Sequence, residues 1–167
     1  MSFVLPWGMM RLTGFMSRKL WLGVVAALTA CGETPPPCSH AVVTQLAQSA
    51  GCLVYEERGI LLVRDWRGRL ALPGGSVLSG ETAGCGAERE TYEETGLAVS
   101  AGSLATRFDN GFHLFWCQAA PADEARVHRP LEVRAVGWWH PRQLPGEHWR
   151  YPKQGDAILS LIDGREH

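Results

Sequence analysis

The chain has 167 residues, 46% of them hydrophobic, and a formal net charge of -1. That supplies enough apolar material for one packed domain and excludes a strongly basic field of the kind that gathers nucleic acid. There are no internal repeats and no heptads, and the one biased run, Pro35-Pro36-Pro37, reads as a stiff spacer.

At the N-terminus, Arg18 and Lys19 precede an apolar run over residues 20–30 that ends in small residues before Cys31. A short positive region, a short apolar stretch and small residues at its end have the make-up of a secretory signal. The run falls short of the ~20 residues that span a bilayer. Residues 41–47 read as a short helix or an edge segment. Residues 52–56 and 60–65 predict a hairpin around Glu57-Arg58-Gly59. Trp66-Arg67-Gly68-Arg69 is a turn, residues 70–72 a short strand, and Leu72-Pro73-Gly74-Gly75 a second turn. A helix is predicted over residues 82–95, with Ser79 or Glu81 near its start and Gly96 as its stop. Residues 98–107 and 112–119 predict a strand pair joined by Asp109-Asn110-Gly111. Residues 120–130 are polar and read as a mobile loop, residues 133–139 as a strand, and residues 154–162 as a C-terminal helix. Strands mixed with two helices give the α/β class.

The chemistry concentrates between Gly75 and Leu97, where Glu81, Arg89, Glu90, Glu93 and Glu94 recur at fixed spacings. On a helix of ~3.6 residues per turn, Glu90 and Glu94 lie roughly 40° apart, and Glu93 roughly 60° from Glu90 on the other side. Three like charges on one patch repel. A hard cation such as Mg²⁺ or Mn²⁺, which takes oxygen ligands, removes that conflict. Arg89 is placed to hold a carboxylate with its forked donors. A solvated acidic helix would leave the Pro-Gly-Gly turn, the leading Glu81 and the poor helix formers Gly84 and Gly86 without a reason.

The pattern Gly75, Glu81, Arg89, Glu90, Glu93, Glu94, Gly96, Leu97 resembles the Nudix box, the signature of the Nudix hydrolases. The one departure is Thr91, where the family usually carries an aliphatic residue. The resemblance extends from about Ala50 to the C-terminus and implies an α/β/α sandwich with a mixed sheet between helices. It implies hydrolysis of a phosphoanhydride in a nucleoside diphosphate linked to another group X, with Mg²⁺ or Mn²⁺ as cofactor. Glu90 and Glu94 would be the main metal ligands, supported by Glu93 and the Gly75 carbonyl, with Glu81 and Arg89 orienting the cluster. A further carboxylate from outside the box is expected at Glu132, with Asp109, Asp123 and Glu124 as competitors. Family members that take ADP-ribose often carry a Pro after the box, and those that take diadenosine polyphosphates a Tyr. The corresponding stretch, residues 109–114, has neither. Arg126 and Arg129 are candidates to grip phosphate. Trp149 and Tyr151 are candidates for a rim contact, whereas Phe108, Phe112 and Trp116 read either as base-stacking residues or as core.

Leu28-Thr29-Ala30-Cys31 resembles a bacterial lipobox, in which the Cys is lipidated and becomes the mature N-terminus. That resemblance implies a signal over residues 1–30, a lipidated Cys31 with a Pro-rich tether over residues 31–40, and the Nudix domain over residues 41–167. The protein would then be lipid-anchored in the cell envelope, facing the periplasm. Cys38, Cys52, Cys85 and Cys117 remain, an even number that permits disulfides of undetermined connectivity in an oxidising compartment. Two other readings are a tethered binding protein that reuses the fold without catalysis, and a cytosolic house-cleaning hydrolase with a misread N-terminus; within the signal reading, Met16 is an alternative start. Oligomeric state is not legible.

Overall fold

The computed structural model describes residues 33–39, 46–120 and 124–166. The signal, Cys31 and most of the 41–47 segment lie outside them; Leu46 and Ala47 belong to no regular element. No described helix is long and apolar enough to cross a membrane.

β1 (Ser49–Glu56) and β2 (Gly59–Asp65) form the expected hairpin, antiparallel through Tyr55↔Ile60 and Glu56↔Gly59. β2 also pairs with β3 (Leu70–Ala71) and, out of sequence order, with β7 (Val133–Trp139). β1 runs parallel to β6 (Phe112–Ala119), which pairs antiparallel with β5 (Val99–Arg107). A strand not expected from sequence, β4 (Gly74–Ser76), pairs antiparallel with the start of β1. The result is a seven-stranded mixed sheet.

Side-chain alternation along the strands sends successive residues to opposite faces. Cys52 and Val54 of β1 and Leu61 of β2 join Ala83 and Ala87 of helix α1 (Ala83–Thr95) in one apolar layer. Leu53, Ile60 and Leu62 join Ile158 and Ile162 of helix α2 (Gln154–Glu166) in the other. The sheet therefore lies between two helices. α2 runs four residues past its expected end at Ile162, and a short 3₁₀ turn, Pro141–Gln143, precedes it.

α1 begins where Thr82 caps it, its Oγ1 accepting from the Cys85 amide at 3.2 Å, rather than at Ser79 or Glu81. It closes at Gly96, φ 69°, whose N–H donates to the Tyr92 carbonyl. Gly86 answers to packing: a Cβ there would sit 2.9 Å from Val77 Cγ2. Thr91 is fully buried and spends its hydroxyl on the Ala87 carbonyl at 2.7 Å, so the departure from an aliphatic residue leaves no polar group unsatisfied.

Residues 124–130, expected to be a mobile loop, are fastened to the end of α1. The Arg126 amide donates to the Thr95 carbonyl at 2.9 Å and the His128 amide to the Glu94 carbonyl at 3.2 Å. The last carbonyls of a helix have no partner within it, and this loop supplies one. The fastening fixes where Arg129 and Glu132 stand.

Two disulfides resolve the connectivity left open by the sequence. Cys52–Cys117 joins the parallel pair β1 and β6, with Cα atoms 5.4 Å apart. Cys38–Cys85 staples the 33–39 segment to α1, where Ser39 also donates to the buried Glu88 through its amide, 2.8 Å, and its hydroxyl, 2.6 Å. Replacing Cys52 and Cys117 together by Ala is expected to lower the melting temperature by roughly 10 °C, the consequence of losing ~3 kcal/mol of cross-link stabilisation. Thermal unfolding followed by circular dichroism checks this.

Candidate active site

One guanidinium organises the box. Arg89 forks onto Glu81, Nε to Oε1 at 2.9 Å and Nη2 to Oε2 at 3.0 Å. It also reaches Glu90 Oε1 at 2.9 Å, Glu93 Oε2 at 3.3 Å and the Ser76 carbonyl at 2.7 Å. Burial works against ionisation of Glu81, but Arg89 and the Leu78 amide outweigh it and hold its carboxyl below the usual range. The hydrogen bonds that Arg89 donates to Glu81, opposed by burial and helped by Glu90, hold it all the more firmly in its charged form.

Glu94 is in a different setting. It is 6% exposed, and its carboxylate accepts from the Gly74 amide at 3.0 Å. Burial pushes its pKa up to about 8, the Gly74 hydrogen bond opposes this, and the charges of Glu90 and Glu132 add to it. Glu90 is also raised, chiefly by burial and further by Glu93, against the pull of Arg89 and Arg129. β4 brings Gly75 against the Glu90 carboxylate so closely that a Cβ would lie 2.6 Å from Glu90 Cδ. The approach needs a residue without a side chain. Gly75→Ala is expected to displace Glu90 and cut turnover by roughly 10-fold or more, the scale of a misplaced supporting group. Steady-state rates beside a melting curve separate this from general unfolding.

A cleft of about 390 Å³ opens over these groups, with Gly75, Glu90, Glu94, Arg129, Glu132 and Arg150 among its lining. Arg129 pairs with Glu93 through Nη2 and with Glu132 at 3.2 Å, and stands 3.9 Å from Glu90. The three box carboxylates thus do not all meet at one point. Glu90 and Glu94 line the cleft and Glu93, paired with Arg129, does not, and no ready cage of three acidic, His or Cys side chains exists among the described residues. The donor set still suits a divalent cation. Two adjacent carboxyls, each held back from ionising by burial and by neighbouring negative charge, are relieved by an oxygen-preferring positive ion.

Residues 45–159 match the family model of the NUDIX domain. The chain belongs to the Nudix family. As a Nudix enzyme it is a hydrolase of the pyrophosphatase type. Its fold is similar to a NUDIX hydrolase from Nitrosomonas europaea, with 23% identity and a TM-score of 0.60, covering 79% of this chain and 78% of that one. It is likewise similar to an ADP-ribose pyrophosphatase from Streptococcus suis, with 21% identity and a TM-score of 0.57 over 68% of this chain and 90% of that one. A MutT NUDIX hydrolase from Burkholderia pseudomallei shares 27% identity and a TM-score of 0.53 over 67% of this chain and 95% of that one. No curated protein matches the sequence.

Of the residues expected from sequence, Gly75, Glu90, Glu94, Arg129 and Glu132 line the cleft, and Arg89 ties Glu81 and Glu93 to Glu90 without lining it. Two expected substrate contacts do not line the cleft. Arg126 turns to Glu33 at 2.8 Å and is absent from the cleft lining, because its own backbone is spent capping α1. Trp149 packs into the α2-side core, where a Cβ on Gly155 would lie 2.5 Å from its Nε1; its neighbours Arg150 and Tyr151 face the cleft instead. Phe108 and Phe112 line an apolar pocket of about 320 Å³ with Tyr151 and Pro152 that shares Phe112, Tyr151 and Asn110 with the cleft. Arg150 escapes sequence reasoning because its place depends on a bridge between Leu70 and Trp149, far apart in the chain.

Proposed function

We propose that this Nudix protein is a divalent-metal-dependent hydrolase of nucleoside diphosphates linked to a further group X, lipid-anchored through Cys31 in the bacterial cell envelope. The observation that carries the catalytic part is the buried Glu94 beside Glu90 at the floor of an open cleft. Glu90 and Glu94 would hold Mg²⁺ or Mn²⁺, with Glu93 and the Gly75 carbonyl in support. Such an ion, when bound, neutralises anhydride oxygens and lowers the pKa of water.

The chain's own residues do the rest. Arg89 keeps Glu81, Glu90 and Glu93 in register. Arg129 offers a planar guanidinium to the diphosphate oxygens. Glu132, at the cleft edge, takes the proton from the attacking water. The water oxygen bonds to phosphorus as the bridging P–O bond breaks, and the departing phosphate carries away the electron pair. The aromatic pocket of Phe108, Phe112 and Tyr151 suits a nucleoside ring beside the phosphates.

The envelope location is supported by the two disulfides, which are rare in cytosolic proteins. Radioactive fatty acid should label the wild type and not Cys31→Ala; equal labelling, or none, counts against the anchor. For the activity, the test is a panel of ADP-ribose, nucleotide sugars, dinucleoside polyphosphates and deoxynucleoside triphosphates with Mg²⁺ and Mn²⁺. Hydrolysis of a diphosphate-linked compound, dependent on the cation, is expected. Turnover of nothing in the panel defeats the catalytic reading, and turnover of deoxynucleoside triphosphates alone, which should be scarce outside the cytosol, counts against the envelope location.

A further inference from the structure

At its Glu132 and Arg150 edge the cleft continues into a second recess of about 270 Å³, lined by Asp65, Trp66, Arg67, Arg69, Glu132 and Arg150. Three segments remote in sequence build it. Asp65 closes the β2–β3 turn by accepting from the Arg67 and Arg69 amides, both at 2.9 Å, and from Arg69 Nε at 2.8 Å. Trp66 Nε1 donates to the Pro130 carbonyl at 3.0 Å, which joins that turn to the stretch carrying Arg129 and Glu132. Opposite, Arg150 is held by its backbone: the Leu70 amide donates to the His148 carbonyl at 2.7 Å and the Arg150 amide to the Leu70 carbonyl at 2.8 Å.

The charges in this recess do not cancel. Asp65 is taken by Arg69 at 2.7 Å, and Glu132 by Arg129 at 3.2 Å. Arg67 and Arg150 form no ion pair among the described residues, although Arg150 stands over the Tyr151 ring at 5.6 Å and its charge acts on Glu94. Beside them Trp66 is 62% exposed. The cleft thus has two unlike flanks on either side of its acidic floor. One is the aromatic pocket of Phe108, Phe112 and Tyr151; the other presents two guanidiniums outside any ion pair, Arg67 and Arg150, beside Trp66. A diphosphate lying over Glu90 and Glu94 with its nucleoside on the aromatic side carries X into the arginine recess.

Building on the reading of the cleft as a diphosphate site, we infer that X bears an anionic group, a carboxylate or a phosphate, held between Arg67 and Arg150. A guanidinium recognises either through paired, charge-assisted hydrogen bonds. The recess selects among diphosphates that share the same scissile anhydride.

Calorimetric titration with cations removed by a chelator reads the recess apart from turnover. UDP-glucuronate against UDP-glucose is the carboxylate arm; inorganic tripolyphosphate against pyrophosphate is the phosphate arm. Full-length wild type, Arg67→Ala and Arg150→Ala are compared. The expected result, in at least one arm, is tighter binding of the more anionic member by about 10-fold or more, the scale of one charge-assisted contact, lost in both variants. No discrimination in either arm, no binding at all, or discrimination that survives both substitutions overturns the inference. Hydrolysis of the UDP pair with Mg²⁺ runs in parallel, beside the wider diphosphate panel. Turnover without discrimination sinks the anionic X alone, whereas absence of turnover on every diphosphate sinks the hydrolase reading beneath it.

Discussion

Glu94→Gln is expected to cut turnover on any accepted diphosphate by on the order of 10³-fold or more, the scale seen when one member of a catalytic unit is removed. The amide keeps the size of the side chain and an oxygen to accept from Gly74, so the fold survives. What is lost is the carboxyl that a bound cation would turn into a charged ligand at the floor of the cleft. A stability measurement separates this from a packing defect. In the folded protein the Glu94 carboxyl titrates near 8, above its ordinary value, so folding binds its proton more tightly than the unfolded chain does. Stability from this residue is therefore full below the ordinary carboxylate range and falls as pH rises towards 8. Gln does not titrate. With divalent ions chelated, Glu94→Gln should melt no lower than wild type at pH 8, and the comparison should shift in favour of wild type as pH drops to 5. A variant that melts far below wild type at both values contradicts the burial argument.

Arg89→Ala has the second large effect, and it acts on fold and activity together. Removing the guanidinium leaves Glu81, Glu90 and Glu93 without their common partner. Breaking a mostly buried pair by deleting one side costs about 3 kcal/mol or more, because the remaining charges stay desolvated. Turnover should drop by roughly 10²-fold, as when ligand-orienting groups are lost. Arg89→Lys restores the charge and not the fork onto Glu81, so it should recover part of the stability and little of the rate. Urea unfolding and steady-state kinetics on the three proteins decide this. An unchanged unfolding midpoint in Arg89→Ala would remove Arg89 from its organising role.

The part of the site carried on one helix was legible from sequence. Arg89, Glu90, Glu93 and Glu94 lie within six positions of α1, and helix geometry alone brings them near one another, while Glu81 stands just ahead of the helix. Even there, Glu93 stands outside the cleft lining and pairs with Arg129, which comes from a segment that periodicity does not place. The hairpin of β1 and β2 and the β5–β6 pair followed from alternation and from the turn residues between them. β4 did not, since a three-residue strand of Gly74, Gly75 and Ser76 has no apolar pattern and exists only by pairing with β1. The same limit explains Trp149 and Arg150. An exposed-looking aromatic near the end of the chain turned inward, and its neighbour became a cleft residue, because both follow the backbone bridge to Leu70. Arg126 was misplaced for a similar reason: its side chain answers to Glu33, more than ninety positions away. Disulfide pairing was likewise a property of the assembled sheet and of the stapled 33–39 segment.

At the centre stands the idea that Glu90 and Glu94 bind a divalent cation when a diphosphate fills the cleft. Isothermal titration of Mg²⁺, and separately Mn²⁺, into the protein saturated with methylene diphosphonate tests it most directly, with wild type set beside Glu90→Gln/Glu94→Gln. Saturable binding by wild type that disappears in the double variant is the predicted result. Binding that is equal in both proteins, or absent from wild type with either ion, contradicts it.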